Sequence, residues 1–254
     1  MTQCLYALAA ATSSIHGVRE PGFARMERMN TAMRQRRSRS DEIYDALRQM
    51  IVTAQLPPGA ALVERDLCTL FSASRTPLRE AVLRLAGHGL VTVAPQHGTF
   101  VASLSPRMVR LAHFLRENLE LPVISQLAAQ GTPDLRAARA TIIEQKLAEA
   151  RDASAAFILL DDRFHQALFD AAGLPEVWDV IRAKKAHLDR IAFGQEQRRG
   201  FATAIAQHEQ ILNAIEIGDT QAAVRCARDH VAAPLAYLEE LQSETDAQSA
   251  AVGS

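Results

Sequence analysis

The sequence from Ser74 to Leu85 reads Ser-Arg-Thr-Pro-Leu-Arg-Glu-Ala-Val-Leu-Arg-Leu, and this stretch decides how the first ordered part of the chain is interpreted. Its apolar residues recur every three or four positions, which is typical of a helix with one buried face. Those residues are Leu78, Val82 and Leu85. Arg75 and Arg79 lie one turn apart on another face. The pattern predicts an amphipathic helix over residues 75–88 that presents two arginines near its N-terminal end.

The segments on either side of this helix predict two earlier helices and a later hairpin. A helix is expected from Ser40, a good N-cap, to the breaking sequence Leu56-Pro57-Pro58-Gly59. A shorter helix is expected over residues 64–71. Two strands, 91–94 and 99–102, flank a turn at Pro95–Gly98. Three helices and a hairpin predict a winged helix-turn-helix domain over residues 39–104.

The rest of the chain shows helical periodicity without a strand pattern. Glycine and proline divide it into six predicted helices, at about 106–130, 134–151, 154–172, 175–193, 197–217 and 220–241. We therefore expect a mainly α protein, in which an antiparallel α-helical bundle over residues 105–243 follows the first domain. A disordered basic leader over residues 1–38 and a disordered tail over residues 244–254 are also expected.

Composition narrows the function classes. Residues 1–105 carry 12 basic against 8 acidic side chains, whereas residues 106–254 carry 16 against 21, so only the first half suits a polyanionic partner. Three scattered cysteines argue against a disulfide framework and a cysteine-rich zinc site. No apolar run approaches the length of a membrane span. These features predict a cytoplasmic protein with no membrane partner.

The arginine pair suits the reading of double-stranded DNA. A recognition helix contacts base edges from its N-terminal end, and an arginine fork can bond O6 and N7 of guanine together. Ser74 and Thr76 are placed to donate to phosphate beside the helix N-terminus. At the wing, Gly98 permits close approach of the backbone to DNA, and His97 is placed to reach the minor groove.

The residues Leu62–Val101 also resemble a known family of regulators. The matching pieces are V-E-R-D-L, S-R-T-P-L-R-E-A-V-L-R-L, G-L-V and H-G-T-F-V, and their spacing is similar to that of the DNA-binding domain of GntR-family repressors. The resemblance covers nearly the whole predicted domain. It implies that Arg65, Arg75, Thr76, Arg79, His97 and Gly98 contact operator DNA.

Three predicted helices of the second domain each direct a histidine toward its core. Asp161 and His165 are four residues apart and project to one side of their helix, while His208 and His230 share faces with apolar neighbours. Buried polar groups need partners, and one divalent cation would satisfy all four. Three imidazoles and one carboxylate suit Zn²⁺, Ni²⁺ or Mn²⁺.

The second domain resembles the FCD domain of FadR-type GntR regulators over about 135 residues. The matching pieces are R-E-N-L-E at Arg116–Glu120, D-D-R-F-H at Asp161–His165, A-A-G at Ala171–Gly173, H-E-Q-I-L-N-A-I from His208, and the run Gly218–His230. The resemblance implies that Asp161, His165, His208 and His230 bind metal. It implies that Arg116 faces the cavity and pairs with a carboxylate effector. Six helices favour the shorter, VanR-like version of the domain.

Together these patterns predict a homodimeric repressor that a small organic or sugar acid releases from an inverted-repeat operator. Two alternatives remain open from the sequence. A metal centre with open positions also suits a hydrolase-like enzyme that carries a DNA-binding head. An architectural DNA-binding protein without a sensor is the other.

Overall fold

The computed structural model describes residues 38–252, and within them the chain forms ten helices and one two-stranded sheet. The DNA-binding domain predicted from the sequence comprises α1 Arg39–Val52, α2 Glu64–Leu70, α3 Arg75–Gly87, β1 Val91–Ala94 and β2 Gly98–Val101. The strands pair antiparallel, with Val91 opposite Val101 and Ala94 opposite Gly98. The winged helix-turn-helix is confirmed, with β2 beginning one residue earlier than predicted.

The first helix begins earlier than the sequence indicated. Ser38, not Ser40, is its N-cap, and a capping box joins Ser38 to Asp41. The Ser38 hydroxyl accepts from the Asp41 N–H, and the Asp41 carboxylate accepts from the Ser38 N–H, so two donors that have no partner within the first turn are satisfied. Apart from Ser38, the predicted leader lies outside the described residues.

The second domain contains seven helices rather than six. They are α4 Pro106–Ala129, α5 Arg136–Ala150, α6 Ser154–Ala171, α7 Pro175–Arg182, α8 Ala186–Arg199, α9 Ala202–Glu216 and α10 Thr220–Val252. The single helix predicted over 175–193 is wrong, because the chain breaks at Ala183–Lys185 and buries the Lys185 side chain. The seven-helix count removes the reason for favouring the VanR-like version.

Two other boundaries differ from the prediction. Gly194 lies inside α8, and the break falls instead at Gly200, whose φ of +82° is accessible to glycine. The last helix continues to Val252, so the expected disorder after Ser243 is not seen there. The residues 243–250 contain neither glycine nor proline and include good helix formers, which explains the continuation.

The two domains share one apolar core at their contact. The core of the DNA-binding domain includes Ile43, Leu47 and Ile51 of α1, and Ile158 of α6 and Ala186 of α8 are part of the same cluster. A separate core inside the bundle is built around Phe164, Trp178 and Leu212. The helix bundle therefore supplies apolar side chains to the DNA-binding domain as well as to itself.

Candidate metal centre and nucleic-acid interface

The four residues predicted to bind metal lie together in the helix bundle. Asp161 and His165 come from α6, His208 from α9 and His230 from α10. One ligand atom of each lies within 4.8 Å of all the others. The three histidines are buried and the aspartate is partly buried. The four residues form a cluster that can hold a metal ion.

The distances between the ligand atoms fit a common cation. Nε2 of His230 lies 3.2 Å from Nε2 of His165 and 3.3 Å from Nε2 of His208. Oδ1 of Asp161 lies 3.4 Å from Nε2 of His208 and 3.7 Å from Nε2 of His165. Ligands about 2.0–2.1 Å from a tetrahedral zinc ion are about 3.3–3.4 Å apart. Both the donor types and their spacing suit such an ion.

The opposite nitrogen of each imidazole faces an oxygen. Nδ1 of His208 lies 3.0 Å from Oε1 of Gln145, and Nδ1 of His230 lies 3.2 Å from Oε1 of Gln207. Nδ1 of His165 lies 3.1 Å from Oε2 of Glu120. An Nδ1–H that donates to oxygen leaves the Nε2 lone pair for a metal. The glutamine oxygens therefore favour Nε2 lone pairs directed at the cluster in His208 and His230, whereas Nδ1 of His165 lies near Glu120 without a hydrogen bond of good geometry.

Sequence reasoning missed these three supporting residues. Gln145 lies on α5, a helix without a predicted ligand, and its full burial is visible only in three dimensions. Gln207 directly precedes His208 in the sequence. Glu120 ends the R-E-N-L-E motif, but the sequence indicated no role for it. An acidic side chain four residues after Arg116 on one helix was the one available signal.

Burial and charge keep the cluster ready for a cation. Burial alone would raise the pKa of Asp161, but the hydrogen bond with His208 and the charge of Lys185 bring it well below its usual value. Burial lowers the pKa of His208, and burial together with the nearby His208 lowers that of His230 well below the usual range. The aspartate is therefore ionised, and these two imidazoles are neutral, as metal binding requires.

Arg116, the residue predicted to pair with a carboxylate effector, lies beside the metal cluster and already has an anionic partner. Its Nε lies 2.5 Å from Oε1 of Glu120, and its Nη2 lies 3.2 Å from Oε2 of Glu120 and 2.8 Å from Nε2 of His165. Burial opposes ionisation of Glu120, yet Arg116 and His165 lower its pKa to about 2. An effector carboxylate would therefore have to share Arg116 with Glu120.

A small cavity adjoins the cluster. Its volume is about 40 Å³, and Arg116, Asp161 and His230 line it together with Gln195, Glu196 and Gln207. Water needs roughly 10–15 Å³ measured in this way, so the cavity holds a few waters rather than an organic acid. Burial, and then the charge of Asp161, raise the pKa of Glu196 to about 7. Apolar side chains, among them Phe157, Ile158 and Leu188, form much of the remaining wall.

The predicted recognition helix α3 presents its arginines to solvent. Arg75 and Arg79 have side chains that are 75% and 63% exposed, whereas Leu78 and Leu85 are buried beneath them. Both arginines pair with Glu64 at the start of α2, at 3.1 Å for Arg75 and 2.8 Å for Arg79. Sequence reasoning missed Glu64. One carboxylate therefore holds the two arginines side by side on the exposed face.

The other predicted DNA contacts are also exposed. Ser74 and Thr76 lie at the N-terminal end of α3, and Arg65 extends from α2 with 87% of its side chain exposed. At the wing, the imidazole Nδ1 of His97 lies 2.9 Å from the carbonyl of Pro95. Gly98 has a φ of +117°, a backbone angle that residues other than glycine rarely adopt. Within residues 38–252, no helix is long and apolar enough to cross a membrane.

Comparisons with known proteins agree with this division of the chain. Residues 39–101 match the model of bacterial regulatory proteins of the gntR family, and residues 112–233 match the FCD domain. A relative from Streptomyces ambofaciens, described as an HTH-type transcriptional regulator in an unstable DNA locus, is 36% identical over 210 residues. That alignment covers 82% of this chain and 89% of the relative.

Two further matches support the assignment. The HTH-type transcriptional repressor RspR of Escherichia coli strain K12 is 31% identical over 194 residues, which cover 76% of this chain and 85% of RspR. The solved structure of E. coli McbR/YncC has the same fold, with a TM-score of 0.69, 21% identity, and coverage of 82% of this chain and all of that one. The names of these relatives indicate regulators rather than enzymes. The chain belongs to the GntR family of bacterial regulatory proteins, carries an FCD domain, and is a DNA-binding transcription regulator.

Proposed function

We propose that this regulator is a homodimeric repressor that senses a small organic or sugar acid through a metal-loaded FCD domain. The metal ligands are Asp161, His165, His208 and His230. The acid binds beside them, near Arg116, and the bound form holds operator DNA less tightly. Zinc, nickel and manganese all suit the ligand set.

The convergence of the three Nε2 atoms carries this proposal. Three imidazole nitrogens lie within a few ångströms of each other in a buried space, those of His208 and His230 are each backed by a glutamine oxygen at Nδ1, and that of His165 also faces Nη2 of Arg116. A proton can join only one pair of nitrogens, and unpaired buried polar groups are costly. A divalent cation would join all three nitrogens and the Asp161 carboxylate, with Arg116 left to pair with Glu120.

The side chains around the cluster favour an acidic effector. When bound, a divalent cation supplies positive charge and open coordination positions for carboxylate oxygen. Arg116 adds fixed positive charge at the same wall, and the amides of Gln195 and Gln207 supply donors for hydroxyl groups. Because the cavity is smaller than an organic acid, binding must displace side chains. A ligand that binds one arrangement better than another can shift operator affinity.

On the DNA side, Arg75 and Arg79 are the proposed base readers. They exchange Glu64 for guanine in the major groove, while Ser74, Thr76 and Arg65 contact phosphate. At the wing, Gly98 lets the protein backbone approach the DNA closely, and His97 reaches into the adjacent minor groove. One short recognition helix contacts few base pairs, which favours two copies on two half-sites.

Metal content and operator binding test the proposal together. Elemental analysis of gently purified protein should find about one transition metal ion per chain in wild type and in His187→Gln. His187 is a buried histidine of α8 outside the cluster. His208→Ala should lose most of the metal. Wild-type protein without stoichiometric metal that also fails to rebind zinc, nickel or manganese would contradict the assignment.

Wild-type protein is first used to select a binding site from a random DNA library. Binding of all three proteins to that DNA fragment is then measured. Fluorescence anisotropy at fixed salt should show weaker binding when one member of a panel of hydroxy and sugar acids is added. His208→Ala should bind the DNA but lose this response, whereas His187→Gln should keep it. A response that persists in His208→Ala would separate sensing from the metal.

A further inference from the structure

A second cluster of charged side chains lies between the two domains. Nη1 of Arg48, on α1 of the DNA-binding domain, lies 3.4 Å from Oδ2 of Asp162, and its Nη2 bonds Asp189 of α8. Nζ of Lys185 lies 2.5 Å from Asp162 and 2.6 Å from Asp189. We call Arg48, Asp162, Lys185 and Asp189 the interdomain ion cluster. All four side chains are less than a tenth exposed.

This ion cluster touches the candidate metal centre through Lys185. Nζ of Lys185 lies 3.7 Å from Oδ2 of Asp161, while Oδ1 of the same carboxylate faces His208 and His165. Asp161 and Asp162 are consecutive on α6, so their side chains project about 100° apart. One helix turn thus directs one carboxylate to the metal ligands and the next to Arg48.

The charges of the cluster share partners. The buried cations Lys185 and Arg48 face the three carboxylates of Asp161, Asp162 and Asp189, and the partly exposed Arg182 also lies 3.6 Å from Asp162. Burial would lower the pKa of Lys185, but Asp162, Asp189 and Asp161 raise it, so the ammonium is charged. Buried ion pairs are weak evidence for stability, since desolvation offsets much of their attraction. In such a site, neutralising one carboxylate changes the partners available to every other member.

We propose that the interdomain ion cluster transmits the charge state of Asp161 to helix α1 of the DNA-binding domain, with Lys185 as the connecting residue. This inference rests on the metal site proposed above only in that metal binding is the event that neutralises Asp161. When the charge of Asp161 is neutralised, Lys185 is held by Asp162 and Asp189 alone. They then attract Arg48 less strongly, and α1 is held less firmly to the bundle.

Hydrogen exchange of the α1 amides tests this in full-length protein treated with chelator. Asp161→Asn removes the charge at the metal end of the chain of contacts. It should raise the opening equilibrium of α1 about fivefold or more, the lower end of typical coupling between sites. Asp219→Asn, which removes the acidic side chain that accepts from the Ala222 N–H at the start of α10, is the matched control and should leave α1 exchange unchanged.

The connecting role of Lys185 is tested in a charge-balanced background. In the double variant Lys185→Met with Asp162→Asn, adding Asp161→Asn should change α1 exchange by less than twofold. If this double variant does not melt cooperatively, Arg48→Met with Asp189→Asn is used as the background instead. It removes the contact of the ion cluster with α1, so Asp161→Asn should again change α1 exchange by less than twofold. Transmission that survives in the folded background would overturn the proposal.

Zinc chloride provides the second arm of the experiment. Added to wild type, zinc should increase α1 exchange in the same direction as Asp161→Asn, and it should not do so in the charge-balanced background. If Asp161→Asn leaves α1 unchanged in chelated wild type, the proposed link is wrong whatever the metal does. If Asp161→Asn acts but zinc does not bind, the metal site is wrong and the link stands.

Discussion

Thermal unfolding with and without zinc gives a quantitative test of the cluster formed by three helices. Because the ligands come from α6, α9 and α10, a cation binds the folded bundle much better than the unfolded chain, and it stabilises the fold by mass action. At free zinc about 100 times the dissociation constant, the gain is about 2.7 kcal/mol. For a chain of this size each kcal/mol raises Tm by about 2–4 °C. We therefore expect zinc to raise Tm by about 5–11 °C.

Scanning calorimetry of chelated protein before and after addition of zinc measures this shift directly. His208→Ala removes one of the four ligands, and its zinc-dependent shift should fall to a small fraction of the wild-type value. His187→Gln should retain the full shift, whatever it does to Tm without metal, since its side chain contacts Gly89 and Ser105. Equal shifts in all three proteins would mean that zinc binds elsewhere, and the four-residue site would be refuted.

Three further outcomes are expected. Arg79→Ala should weaken operator binding about ten- to a hundredfold in fluorescence anisotropy at fixed salt; if exposed Arg110→Ala on α4 weakens it equally, α3 is not the reader. Glu196 has a folded pKa of about 7 against 4.5 in its ordinary state, so its stabilising proton is present at low pH and lost as pH rises through 7. In chelated protein, Glu196→Gln should therefore raise Tm clearly at pH 8 and much less at pH 5; the same gain at both would exclude titration of this carboxyl. Light scattering should give about twice the 27.8 kDa chain mass, and a strict monomer with and without DNA would contradict the homodimer.

The features that local patterns determine were predictable from the sequence. The spacing of Leu78 and Leu85 against Arg75 and Arg79 fixed both the helix and its exposed face. Asp161 and His165 are neighbours on one helix whatever the tertiary fold. His208 and His230 shared faces with apolar residues, which indicated that they point inward. Their meeting at one point depended on the packing of α6, α9 and α10.

Features that depend on tertiary contacts were not predictable in this way. Lys184 and Lys185 are equally ordinary helix formers in the sequence, yet only Lys185 is buried, and the helix breaks to accommodate it. Gln145 gave no sign that it would meet His208 from another helix. Glu64 lies at the start of α2, one helix and one turn before the recognition helix. Its pairing with both arginines therefore becomes visible only in the folded domain. In each case a partner comes from a different helix.

The shared core described above bears on how this protein can be divided or recombined. Ile158 and Ala186 belong to the second domain in sequence but pack into the cluster formed by α1 and α3. A fragment cut after Leu104 would leave that apolar patch facing water. A chimera that joins this DNA-binding domain to another sensor should therefore carry over residues equivalent to these two. The usable boundary for protein engineering follows the packing surface rather than the linker.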